Sequence, residues 1–325
     1  MADQTPSNSW KTLDRDLKRI SVLESANLYV TKPMVAPGLA LAFLILAGLV
    51  SSIFFTDGST NYIVIAAAIM GAYMAMNIGA NDVANNMAPA VGANALTMTG
   101  AIAIAAIFES MGALLAGGDV VSTISKGIID PEGINDPNIF IWAMMAALIS
   151  SALWVNLATW VGAPVSTTHS VVGGVMGAGI AAAGLTAVNW PTMGKIAASW
   201  VISPVLGGVI AALFLSLIKS KIIYTDDKIK NARQWVPILI AIMAGAFTTY
   251  LAMKGLKKII KIDLTIALAI GIFIAFLSYF VSNPLINKQA HGLENRNKSV
   301  KILFRIPLIL SAALLSFAHG ANDVA

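Results

Sequence analysis

Long apolar runs broken by short polar stretches organise this chain from about residue 34 onward. Nine of these runs approach or exceed the roughly 20 residues a helix needs to cross a hydrocarbon core: 37–55, 62–83, 91–117, 139–162, 165–188, 196–218, 236–253, 262–282 and 303–321. The breaks carry turn chemistry, as in Thr56-Asp57-Gly58-Ser59, Asn135-Asp136-Pro137-Asn138 and Asn189-Trp190-Pro191. No run alternates polar and apolar residues over about ten positions, as a barrel strand would. The pattern predicts an all-α polytopic membrane protein.

Composition agrees with the pattern. Of the 325 residues 57% are hydrophobic and only 11% are charged, against about 25% charged in soluble domains, so the chain lacks the polar surface of a water-soluble globule. The net charge of +5 belongs to loops: of 21 Lys and Arg, five precede Met34, two lie between Met34 and Ile218, and fourteen fall between Lys219 and Arg305. Cations that collect outside apolar runs mark membrane topology rather than a nucleic-acid surface. By that rule residues 1–33, 219–233 and 288–301 are expected on the cytoplasmic side of the cell membrane, whereas Lys254, Lys257, Lys258 and Lys261 dissent. Leu13, Leu17 and Ile20 recur at helical spacing, so residues 1–33 read as an amphipathic arm at the lipid surface or as a solvated tail. The absence of cysteine removes thiolate metal sites, thiol catalysis and disulfides.

One hexapeptide occurs twice. Gly79-Ala80-Asn81-Asp82-Val83-Ala84 returns as Gly320-Ala321-Asn322-Asp323-Val324-Ala325. The copies fall in the second and ninth apolar runs, an odd separation, so if every run crosses they enter the membrane in opposite senses. That is an inverted-topology repeat, whose substrate and ions bind near the midplane between halves. The organisation expected is an arm (1–33), an extra span and loop (34–61), a first transport repeat (62–218), a loop with linking spans (219–301), and the start of a second repeat (302–325), the chain being a fragment that ends inside it.

The residues able to do chemistry sit inside apolar runs. Asn77, Asn81 and Asn85 are spaced by four, as are Asp82 and Asn86, so a helix gathers their oxygens on adjoining faces. An intramembrane carboxylate is costly and faces a cavity, a partner or a cation; oxygen donors suit a hard cation such as sodium, with Asn81, Asp82 and Asn85 as candidate ligands. Glu109 is a second intramembrane acid, either an ion site or a partner of Lys126. Gly162-Ala163-Pro164-Val165-Ser166-Thr167-Thr168-His169-Ser170 reads as a broken helix or hairpin with a new helix start. Freed N–H groups, a positive helix end and four hydroxyls form an uncharged anion site. Thr123 and Lys126, with His169, are candidates for gating or for attracting an anion, Lys126 also being a plain interfacial anchor. Gly173 and Gly177 form a GxxxG suited to close helix packing. Neither a GxSxG elbow nor an HExxH signature is present, so no enzyme is expected.

Together Gly79-Ala80-Asn81-Asp82-Val83-Ala84-Asn85, Phe108-Glu109-Ser110, Thr123-Ile124-Ser125-Lys126-Gly127 and Pro164-Val165-Ser166-Thr167-Thr168-His169 resemble the inorganic phosphate transporter (PiT) family over about residues 62–325. The resemblance implies uptake of inorganic phosphate by symport with sodium or protons, without a cofactor, through an alternating-access site. It implies that Asp82, Ser166, Thr167, Thr168 and Asp323 contact phosphate, and that Asn81, Asp82, Asn85, Glu109, Asn322 and Asp323 couple the cation. The partners implied are phosphate, the coupling cation and the bilayer; the sequence leaves the oligomeric state open, a homo-oligomer included. Asn86 departs from the family, which commonly has a small residue there. A carrier of another tetrahedral oxyanion such as sulfate, or a non-transporting receptor or scaffold, is the competing reading.

Overall fold

A backbone in hydrocarbon must satisfy its own N–H and C=O groups, and the apolar runs do so as helices. The computed structural model describes Lys18 and residues 34–55, 61–130, 136–254 and 262–323. Among these, α1 is Met34–Phe54. It is followed by α2 (Asn61–Gly92), α3 (Met98–Ala116), α4 (Gly118–Lys126), α5 (Pro137–Trp160), α6 (Thr167–Ala183) and α7 (Trp190–Ile218). Then come α8 (Lys228–Lys254), α9 (Leu264–Ala290), α10 (Asn297–Leu303) and α11 (Arg305–Asn322). A single isolated bridge, Ile129 to Val188, is the extended pairing among the described residues. The arm, save Lys18, lies outside them, as do Lys257, Lys258 and Lys261.

Polar breaks start helices where the turn residues predict. Asp136 caps α5 by accepting from Asn138 N at 2.8 Å, with Pro137 in the first turn. Asn189 caps α7 through Thr192 N at 3.1 Å, and Thr97 caps α3 through Gly100 N at 3.2 Å. Such caps satisfy donors that the first helical turn leaves unpaired.

Helix ends depart from the apolar runs because hydropathy marks the hydrocarbon layer, and a helix continues into the interface beyond it. Thus α7 starts at Trp190, α8 starts at Lys228 and α9 runs on to Ala290. α2 passes through Pro89 and ends at Gly92; the turn that closes it uses Asn94 at a positive φ of 55°, with Ala95 N returning to Ala90 O at 2.8 Å.

Among the described residues seven helices are long and apolar enough to cross a membrane, and α10 with α11, bent by 48°, makes an eighth if taken as one span. The expectation of nine equivalent runs is therefore modified at α6. Its 17 residues reach about 26 Å, short of a core of roughly 30 Å.

The chain divides into two compact units, residues 1–76 and 77–325. In the first, Gly48 of α1 lies against the Ile69 side chain of α2. In the second, the principal packed pairs are α8 with α9, α3 with α11, and α5 with α6. Glycines set these approaches. A methyl group on Gly112 would fall 2.0 Å from the Phe317 carbonyl oxygen, and one on Gly320 would fall 2.1 Å from that of Glu109. In α6 it is Gly174, not Gly173 or Gly177, that meets a neighbouring helix, at Ser151 Oγ and the Ala147 carbonyl; the GxxxG pair faces open space. Gly112→Val is expected to push α3 off α11 and destabilise the protein by about 1–3 kcal/mol, as overpacking does. A thermal melt in detergent checks this, and an unshifted midpoint would show that the two backbones are not in contact.

Two loops of the second unit are tied together. After α4, buried Ile128 and Ile129 run beside the segment before α7, with Asn189 N donating to Ile128 O at 2.9 Å and Asp130 N to Ala187 O at 3.0 Å.

Candidate functional site

α5 ends at Trp160 in a turn that uses Gly162 at a positive φ of 72°; Pro164 follows in the break, and Ser166 takes the N-cap of α6, its Oγ accepting from His169 N at 3.2 Å. The next two residues carry the hydroxyls on which the site is built. Thr167 Oγ1 donates to Asp82 Oδ2 at 2.8 Å, and Thr168 Oγ1 donates to Asp323 Oδ1. The aspartates of the two hexapeptide copies thus converge on consecutive threonines at a positive helix end, which favours negative charge. Asp82 and Thr167 are buried.

A histidine lies between the acids. His319 Nε2 is 2.9 Å from Asp323 Oδ2 and 3.3 Å from Asp82 Oδ2, while its Nδ1 is 3.3 Å from Glu109 Oε1 but off hydrogen-bond alignment. Glu109 also accepts from Asn86 Nδ2 at 3.1 Å. Ligand atoms of Asp82, His319 and Asp323 all lie within 4.8 Å of one another, a group able to hold a metal ion. The two carboxylates offer the oxygen donors that a hard cation takes, whereas the imidazole is the donor a transition metal would use.

Amides line the approach from α2. Asn77 Oδ1 accepts from Asn156 Nδ2 at 2.8 Å. The Asn81 amide lies 2.9 Å from the Thr159 hydroxyl and 3.2 Å from both Asp82 Oδ1 and the Val165 carbonyl; those acceptors orient its NH2 toward the latter two. Asn85 is exposed and stands apart from this cluster. A cavity of about 680 Å³ adjoins the threonines, lined by Thr123, Ser166, Thr168, His169, Trp200 and Asn322, with the exposed ion pair Lys254 to Asp119 (3.2 Å) on its wall. His169 packs on Trp200, ring centroids 4.0 Å apart, and forms no part of the carboxylate group. Lys126 is the last residue of α4, and its side chain lies outside the described residues.

The structure therefore brings together Asn81, Asp82, Glu109, Thr167, Thr168 and Asp323, with Ser166 as the cap and Asn322 at the cavity. Two residues were not singled out as part of the site by pattern. His319 stands one position before the second hexapeptide and four before Asp323, so its signal was an i,i+4 pair of a base with an intramembrane acid. Asn86, the departure from the family pattern, holds Glu109.

Apolar helices around a buried carboxylate and a hydroxyl-bearing helix start define a multi-pass membrane protein with a polar cluster held inside it. Comparison with known proteins gives the class, a transporter and not an enzyme. Residues 78–325 match the phosphate transporter family. A chain from Helicobacter pylori named as a phosphate permease is 52% identical over 310 residues, 95% of this chain and 58% of the relative. One from Pyrococcus furiosus, also named as a phosphate permease, is 38% identical over 265 residues, 81% of this chain and 63% of the other. A solved structure described as the sodium-dependent phosphate transporter superimposes with a TM-score of 0.75 at 38% identity, covering 81% of this chain and 64% of that one. The chain belongs to the phosphate transporter family, and it spans roughly three-fifths of the length of these relatives.

Proposed function

We propose that the protein takes up inorganic phosphate across the cell membrane by symport with sodium or protons, through an inverted-repeat site that alternates its access. The observation that carries this reading is the convergence of Asp82 and Asp323, one from each hexapeptide, on Thr167 and Thr168. Family membership and the sodium-dependent transporter of similar fold support it.

Charge explains why a cation must travel with the substrate. Asp82, Glu109 and Asp323 face one imidazole, so a phosphate arriving alone meets an excess of negative charge. At 4 Å such repulsion is about 4 kcal/mol per charge pair at an effective dielectric of 20. Sodium held by the Asp82 and Asp323 carboxylates, with Asn81 and Asn322 nearby, offsets that repulsion. A proton taken up at Glu109 or an aspartate does the same by removing a charge. Thr167, Thr168, Ser166 and the first N–H groups of α6 then donate to phosphate oxygens without adding charge of their own.

The test is accumulation of labelled phosphate in proteoliposomes under an imposed sodium or proton gradient. Uptake above the ungradiented control under one of them is expected, with sulfate competing weakly. Absence of accumulation under both gradients overturns the reading.

A further inference from the structure

In the second unit, α8, α9 and the turn after α9 line an open cavity of about 770 Å³ that shares no lining residue with the carboxylate site. Its wall on α9 is a ladder at helical spacing of four: Tyr279, Asn283, Asn287 and, at the helix end, His291. The facing positions on α8 are Lys230 and Arg233, three apart and so on one side of that helix. Its two central rungs are hydrogen-bonded to each other and to α8. Asn287 Nδ2 donates to Asn283 Oδ1 at 2.9 Å, and Asn287 Oδ1 accepts from Arg233 Nε at 2.7 Å. The guanidinium is thereby fixed in direction with both of its Nη groups left without a partner among the described residues. Neither Lys230 nor Arg233 has a carboxylate partner there. The acid at this cavity, Asp227, is engaged in starting α8, its Oδ1 accepting from Lys230 N at 3.1 Å.

We propose that this cavity binds a phosphate group: an oriented guanidinium fork, a lysine ammonium and an imidazole converge on a polar space that the protein leaves unfilled. A fork held in place by an amide matches tetrahedral oxyanions in two-point contact. The flank of α9 beside the ladder is apolar, with Phe280, Val281 and Leu285 more than half exposed, a surface along which the acyl chains of a phospholipid would lie with the headgroup at the cavity. Free phosphate offers the same chemistry from solution.

The experiment titrates detergent-solubilised protein by calorimetry with short-chain phosphatidylglycerol and, separately, with inorganic phosphate. The proteins are the wild type, Arg233→Gln, the Lys230→Gln/Arg233→Gln pair, and Asp82→Asn. A saturable component is expected that survives Asp82→Asn and weakens at least about tenfold in the paired variant, the loss of a charge-assisted contact or more. Appearance with the lipid alone assigns the headgroup as its source; appearance with inorganic phosphate assigns the free anion. If Arg233→Gln and the paired variant bind both ligands as the wild type does, the proposal is overturned. Should the paired variant fail to fold by circular dichroism, Arg233→Gln alone decides, and unchanged affinity in it is equally fatal.

Discussion

Asp82→Asn is expected to reduce cation-driven phosphate uptake by about a hundredfold, near 3 kcal/mol, while leaving the protein folded. The substitution keeps the shape of the side chain and an oxygen to accept from Thr167 Oγ1, so the start of α6 keeps its anchor. What disappears is one negative charge beside His319 and Asp323. A site with one carboxylate fewer repels phosphate less but holds a cation less tightly, so the effect appears in the ion dependence as well as in the rate. Initial rates measured against cation concentration separate the two contributions. Wild-type rates with unaltered ion dependence would remove Asp82 from the mechanism.

The second large effect is expected at His319. Its imidazole stands within 3.3 Å of oxygens from Asp82, Glu109 and Asp323, and His319→Ala leaves those acids facing a void. Removing one member of a buried charged group costs about 3–5 kcal/mol because the partners remain uncompensated. The melting midpoint in detergent should fall, and added sodium should restore part of it, since a cation binding the folded form alone stabilises by mass action. A potassium control at equal ionic strength distinguishes binding from screening. A variant that melts at the wild-type midpoint and ignores sodium would show that the histidine does not balance these acids.

The spans, and the acids that gather in the candidate site, were legible in the sequence because membranes impose simple rules. An apolar run of sufficient length becomes a helix, and an acid inside it needs a reason. α1, α5 and α8 follow from the first rule, and Asp82, Glu109 and Asp323 stand out by the second. Tertiary pairing was not legible. That Thr167 serves one hexapeptide and Thr168 the other depends on how α6 enters the cluster, and no local spacing encodes that. Gly174 was hidden beside a more conspicuous GxxxG, since which glycine meets a neighbour is decided by the rotation of α6 against α5. His319 stands one position before the six repeated residues, so the repeat itself does not mark it. The shortness of α6 was masked by apolar residues continuing beyond its end, through the turn at Leu185–Ala187.

The consecutive threonines have a mechanical consequence. Successive residues on a helix point about 100° apart, so the carboxylates that hold Thr167 and Thr168 grip α6 from two directions rather than one. A rod held in that way can swivel at its tip, but it cannot slide past either grip without releasing a hydroxyl. Any movement that draws the two hexapeptides apart must therefore release at least one of the two threonine hydroxyls, and the tip of α6 works as a latch with two teeth.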